Sequence, residues 1–230
     1  MALTSRLALS LRPAFEELAD PERAAGQQRY LKTTEPMHGL VTEDLRRLAN
    51  VHSLDVLGES ATEAEILAEV STLWTEAESR DERRAAIFVL TLPRYGRSLS
   101  MTAMSLVKQI VREGAWWDLV DAVVKVQTYL GPAFPKESAT LMRAWATDSN
   151  MWVRRYAIIS QLHCKKDTDT SLLSDCILPN LADREFFIAK AIGWALRDYA
   201  RHNPEWVREF VAAHEDEMQP LSKREALKHL

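Results

Sequence analysis

The chain has 230 residues, 47% of them hydrophobic, which is enough for one large domain or two small ones with a real core. Its net charge of −4 and pI of about 5.9 argue against a general nucleic-acid coat protein, yet total charge says nothing about distribution and leaves a DNA-binding face open. No window holds 18 consecutive apolar residues, so no transmembrane helix is expected, and two cysteines, Cys164 and Cys176, make neither a disulfide framework nor a zinc site.

In chain order, the N-terminal stretch has apolar residues interrupted by Arg6, Arg12, Glu16 and Glu17. It predicts an amphipathic first helix rather than a secretory signal, so a cytosolic location is the default. Asp20-Pro21 reads as an N-cap followed by proline at the first helical position. Thr62 with Glu65, and Ser222 with Glu225, read as capping boxes. Asp81, Ser100 and Ser149 are plausible N-caps, and Pro135, Pro179, Pro204 and Pro220 mark boundaries. The pattern predicts about twelve helices. They start near residues 5, 21, 42, 62, 81, 100, 116, 136, 149, 170, 185 and 204, with a last piece from 222. The chain stops at Leu230 inside that last piece, as a truncated chain would. No β-hairpin or βαβ pattern is present, so the fold class is all-α.

Charge is unevenly placed. Glu59, Glu63, Glu65, Glu69, Glu76, Glu78, Asp81 and Glu82 crowd one segment with Arg80 as its one base, whereas Arg154-Arg155 and Lys165-Lys166 are basic. An acidic outer surface and a basic inner one are expected.

Two segments repeat. Asp148, Trp152 and Arg155 match Asp183, Phe187 and Lys190, each 35 residues on. Helix pairs at this period are the signature of HEAT-like solenoids. Extended upstream, the register gives a column of Arg84, Asp121, Arg155 and Lys190, with steps of 37, 34 and 35. In that column one carboxylate stands among cations that could hold phosphates, Arg154 beside them.

Asp121 belongs to the run Trp116-Trp117-Asp118-Leu119-Val120-Asp121, which opens a predicted helix. Trp117 and Asp121 are at i and i+4, an indole beside an acid on one surface. Such a pair suits a site that stabilises positive charge. Equally, the tryptophan could be core and the acid solvated. Trp116 and Asp118 are expected to pack and cap. A second aromatic segment places Lys190 four residues before Trp194, with Gly193 between them. A glycine inside a helix costs about 1 kcal/mol against alanine, so close packing or close ligand approach is expected there. Phosphate-binding glycine loops, HExxH and GxSxG are absent, and no two of the six histidines have ligand spacing on a shared helix face.

Four blocks, AWWDLVD, WVRRYAIISQL, REFFIAKAIGWALRDYARHNPEWV and LSKREALKH, together resemble the AlkD-type DNA alkylation repair glycosylases, a family of HEAT-like repeat proteins. The resemblance runs from about Pro21 to the end and is strongest from Trp116 to His229. It implies one domain over residues 1–230, a right-handed α-solenoid with a concave DNA-binding face. It implies hydrolysis of the N-glycosidic bond of cationic N3- and N7-alkylated purines in duplex DNA, without full base flipping and without metal or organic cofactor, by a monomer. Asp121 matches the family's catalytic acid, and Trp117 and Trp194 match the aromatic pair cradling the deoxyribose. Arg155 matches a DNA-contacting arginine, and Tyr30 and Lys32 lie in an RYxK segment similar to the family's N-terminal helix. Some relatives carry glutamine two residues after the glycine matching Gly39, where this chain has Val41. Two other readings stay open: a non-catalytic relative that binds damaged or branched DNA, and a protein-binding scaffold.

Overall fold

The computed structural model describes residues 4–230 and, among them, is helical throughout with no strand. The first three residues of the N-terminal stretch lie outside that range. The chain forms two compact units, residues 1–110 and 111–230.

The first unit contains α1 (Arg6–Glu17), α2 (Pro21–Leu31), α3 (Thr42–Leu57), α4 (Glu63–Thr75), α5 (Arg80–Leu90) and the single turn α6 (Pro93–Gly96). α1 buries Leu7, Ala8, Leu11 and Phe15, a spacing that keeps one stripe of the helix inside. It packs on α3 and α4, and α5 packs on both of these in turn. Asp20 caps α2 by accepting from Arg23 N, with Pro21 at the first position. Thr62 and Glu65 form the expected capping box of α4. At α5 the cap is Ser79, which accepts from Glu82 N, and Asp81 lies in the first turn rather than at the cap. Gly39 has φ +79°, and a Cβ there would stand 2.2 Å from Asp20 O. Only glycine lets this turn lie against the start of α2.

The acidic segment is only partly at the surface: Glu59, Glu65 and Glu78 are exposed, but Glu69, Asp81 and Glu82 are buried. The partners of Glu69 and Glu82 come from α1 and the residue before it. Glu69 Oε1 accepts from Ser5 Oγ at 2.8 Å and from Leu7 N at 2.9 Å. Glu76 accepts from Ser5 N, and Glu82 pairs with Arg12 at 3.1 Å. Asp81 accepts from His38 N at 2.7 Å. Glu69 and Glu76 satisfy open N–H groups at the start of α1, and together with Glu82 they bind it to α4 and α5.

α7 (Ala103–Gly114) leads from the first unit into the second. Its start follows Ser100, which is engaged with Glu63 through its backbone N at 2.6 Å. The second unit contains α8 (Trp117–Val123), α9 (Gln127–Ala133), α10 (Pro135–Trp145), α11 (Met151–Ile158), α12 (Thr170–Ile177), α13 (Phe186–Ala200), α14 (Pro204–Ala213) and α15 (Pro220–Ala226). α13 is its centre, packed against α11, α14 and α15. Asn150, not Ser149, caps α11. The last helix starts at Pro220 and ends at Ala226, so Ser222 is not a cap. It is buried inside α15 and donates to Ala189 O of α13 at 2.9 Å.

The repeat is visible as geometry. Asp148 accepts from Asn150 N and Asp183 from Glu185 N, both at 2.9 Å, so equivalent acids make the same turn before α11 and α13. The matched residues Trp152 and Phe187 pack against each other, with ring centres 5.0 Å apart and planes tilted by 42°.

Candidate functional site

α8 begins where Ala115 takes a left-handed φ of 34° and Trp116 an extended φ of −151°. That sharp entry turns the two adjacent indoles to different surroundings. Trp116 sits in an aromatic cluster, 5.2 Å from Phe187 edge-on and 5.9 Å from Trp152. Trp116 therefore packs, as expected, and its Nε1 is buried with no hydrogen-bond partner. Asp118 lies in the first turn of α8, where the helix dipole favours an acid. Trp117 is half-buried at the first position of α8, and Asp121 follows one turn later.

Asp121 is not a lone acid. Arg155 of α11 clasps it from both sides, Nε to Oδ1 at 2.8 Å and Nη2 to Oδ2 at 2.7 Å. The third guanidinium nitrogen, Nη1, donates to Phe187 O of α13 at 2.7 Å. Arg155 is buried, its side chain 5% exposed against 16% for Asp121. The expected DNA contact is thus engaged within its own unit: one side chain ties α8, α11 and α13 together. Burial pushes the Asp121 carboxyl above its usual range, Arg155 opposes this, and Asp118 adds to it, with a net rise.

The column continues beyond what the sequence reading followed. Thirty-five residues after Lys190 stands Glu225, and Lys190 Nζ donates to its Oε1 at 2.9 Å. Arg197, one helical turn after Trp194, binds the other oxygen of Glu225. These two cations hold the Glu225 carboxyl down at about 2. The register is therefore a ladder of pairs between neighbouring repeats, Asp121 with Arg155 and Lys190 with Glu225, and not a row of cations around one acid. One more step of the offset reaches Glu225, whose spacing from Ser222 imitates a capping box. Arg154 is engaged too, with Asp183 at 2.8 Å and with Asp148 O at 2.9 Å.

Trp194 is half-buried on α13 and has no ring or hydrogen-bond partner among the described residues. Gly193 beside it is explained by packing. A Cβ there would fall 2.4 Å from Glu225 Cβ and 3.0 Å from Ser222 O.

The remaining expected residues lie in the first unit. Tyr30 is 74% exposed on α2, and Lys32 ends that helix in a left-handed conformation, φ 52°. Arg84 of α5 donates to Thr42 Oγ1 at 2.9 Å and lies 3.6 Å from Asp81. Val41 occupies the N-cap position of α3, exposed and without a side-chain cap bond. Among the described residues no helix is long and apolar enough to cross a membrane.

Against this geometry, the family model for DNA alkylation repair enzymes matches residues 11–230. A solved structure described as a predicted DNA alkylation repair enzyme from Enterococcus faecalis is 29% identical, with a TM-score of 0.81, covering 92% of this chain and 96% of that one. The structure of smu.31 from Streptococcus mutans UA159 shares the fold at 16% identity, with a TM-score of 0.60, covering 82% of this chain and 98% of that one. Among curated protein sequences none is similar. With the match extending over nearly its whole length, the chain belongs to the DNA alkylation repair enzyme family.

Proposed function

We propose that the protein is a monofunctional DNA glycosylase that releases cationic N3- and N7-alkylated purines from duplex DNA. The observation that carries this reading is the Asp121 carboxylate, mostly buried yet still partly open, fixed in orientation by Arg155 one turn after Trp117.

The chemistry asks little of such a site. An alkylated purine is already positively charged and leaves neutral when its bond to the sugar breaks. The electron pair of that bond goes to the base, and positive charge develops on the deoxyribose as an oxocarbenium-like species. Asp121 stabilises that charge and orients the water that adds to the sugar carbon. Trp117 and Trp194 offer indole faces to the cationic sugar, an interaction of about 0.5–2 kcal/mol each. Lys190, Arg154, Arg84, Tyr30 and Lys32 belong to the DNA-facing set, with the lesion excised from a duplex in which it is not fully flipped. The protein acts as a monomer of one repeat domain.

A second reading is favoured by the same pair: a carboxylate clasped by arginine also suits a purely structural role in a non-catalytic DNA-binding relative. Base release from duplex DNA containing 7-methylguanine separates the two. Asp121→Asn, its fold checked by circular dichroism, is expected to bind the duplex but lose release. Release at the wild-type rate by that variant would refute the catalytic assignment.

A further inference from the structure

In the second unit the register cations are matched by carboxylates: Arg155 by Asp121, Lys190 and Arg197 by Glu225, Arg154 by Asp183. In the first unit the register cation Arg84 likewise lies 3.6 Å from Asp81, but the cations beside it differ. On α3, Thr42, Arg46 and Asn50 recur every four residues and so share one face. Each meets a group of α5 or α6. Thr42 accepts from Arg84, Arg46 lies 5.1 Å over the Phe88 ring with Arg84 at 5.9 Å from the same ring, and Arg94 donates to Asn50 O at 2.7 Å and to its side-chain oxygen. Neither Arg46 nor Arg94 has a carboxylate partner among the described residues. Their contacts are a ring face, a backbone carbonyl and an amide, none of which cancels a positive charge. Arg47, on the next face of α3, is by contrast paired with Asp44 at 3.2 Å.

We infer that this strip, centred on Arg46 and Arg94 and bounded by Arg84, is where the protein grips the phosphate backbone of duplex DNA. The inference rests on the DNA reading above but assigns the grip to residues outside the register pairs. The spacing fits. From Thr42 to Asn50 the helix rises about 12 Å, a length of duplex axis over which one strand carries roughly three phosphates, at about 3.4 Å of axis each. Phe88 and Asn50 hold the two guanidinium groups in place, so less side-chain freedom is lost when phosphate binds.

The test is equilibrium binding of the full chain to a short undamaged duplex, read by fluorescence anisotropy at about 50–200 mM salt. Arg46→Gln breaks no hydrogen bond or ion pair. It is expected to flatten the slope of log K against log salt by about 0.9, and Arg46→Gln with Arg94→Gln by about 1.8, one phosphate contact per residue. Arg47→Gln removes the same charge from the same helix and is expected to leave the slope at the wild-type value. Wild-type slopes in both strip variants, or an equal loss in Arg47→Gln, would overturn the strip. The DNA-glycosylase reading is judged separately. Base release from duplex DNA containing 7-methylguanine stays at the wild-type rate in Arg47→Gln if both hold. A wild type that binds duplex with the expected slopes but releases no base sinks the glycosylase and keeps the strip. A wild type with no affinity for duplex at low salt overturns both.

Discussion

Replacing Gly193 with alanine sets two effects of known sign against each other. Alanine is the better helix former by about 1 kcal/mol, so on an open helix face the change would stabilise α13. Here the new methyl would lie 2.4 Å from Glu225 Cβ and 3.0 Å from Ser222 O. Neither neighbour can swing away, because one is fixed to the backbone of α15 and the other is backbone. Normal contact requires α15 to move back by about an ångström, and overpacking of this kind costs about 1–3 kcal/mol. The displacement also strains the Ser222 bond to Ala189 O, worth about 1 kcal/mol. The sum is a net loss of about 1–3 kcal/mol. At about 2–4 °C per kcal/mol for a chain of this size, Tm falls by several degrees. Thermal unfolding followed by circular dichroism measures it, and hydrogen exchange locates the loosening in α15. Glu225→Ala in the same chain is not expected to rescue the loss, because the tightest contact is with Cβ, which alanine keeps. An unchanged or higher Tm in Gly193→Ala would refute the packing argument and return the glycine to a role in ligand approach.

Two further outcomes are expected. Removing the Arg155 charge in Arg155→Gln leaves Asp121 buried without its cation, a change that typically destabilises by about 3–5 kcal/mol. Its activity has a signature that lost stability alone does not produce: burial already raises the Asp121 carboxyl and Arg155 opposes that rise, so its loss moves the acidic limb of the base-release pH profile to higher pH, and an unmoved limb would show that Asp121 is not the titrating group. Ser79→Ala removes the cap that accepts from Glu82 N and is expected to lower stability by about 1 kcal/mol in denaturant melts, whereas a neutral result would return the capping role to Asp81.

What could be read from the sequence was what neighbouring residues decide. Asp20-Pro21 and the Thr62–Glu65 box set helix starts through contacts within one turn, and both stand where the pattern put them. The 35-residue offset found Trp152 and Phe187, which touch because equivalent helices stack. Ser222 misled because its spacing to Glu225 copies a capping box, while Pro220 had already begun the helix two residues earlier. Short α6 and α9 carry too few turns to show a period and were merged with their neighbours. The buried acids were unreadable for a different reason. Glu69 accepts hydrogen bonds from Ser5 and Leu7, and Glu82 is neutralised by Arg12, each more than 60 residues away in the chain, and no local pattern reports such partners. The same holds for the Asp121 clasp, where the offset supplied the right two residues and the wrong relation between them.

That relation bears on how Asp121 can act. A carboxylate that is already neutralised would seem a poor choice to stabilise a sugar cation. The geometry answers this by division of its oxygens. An ionised carboxylate offers about four lone-pair positions. Arg155 takes one on each oxygen through two different nitrogens, and the side chain keeps 16% of its surface open. One acceptor position per oxygen is left for water or for developing charge. Without the arginine, burial would favour the protonated acid, which cannot stabilise a cation at all. Arg155 thus weakens the field of the carboxylate while favouring its charged form and fixing its orientation. In the proposed reaction the leaving group already carries the positive charge needed to depart, so a weakened but correctly aimed anion would suffice.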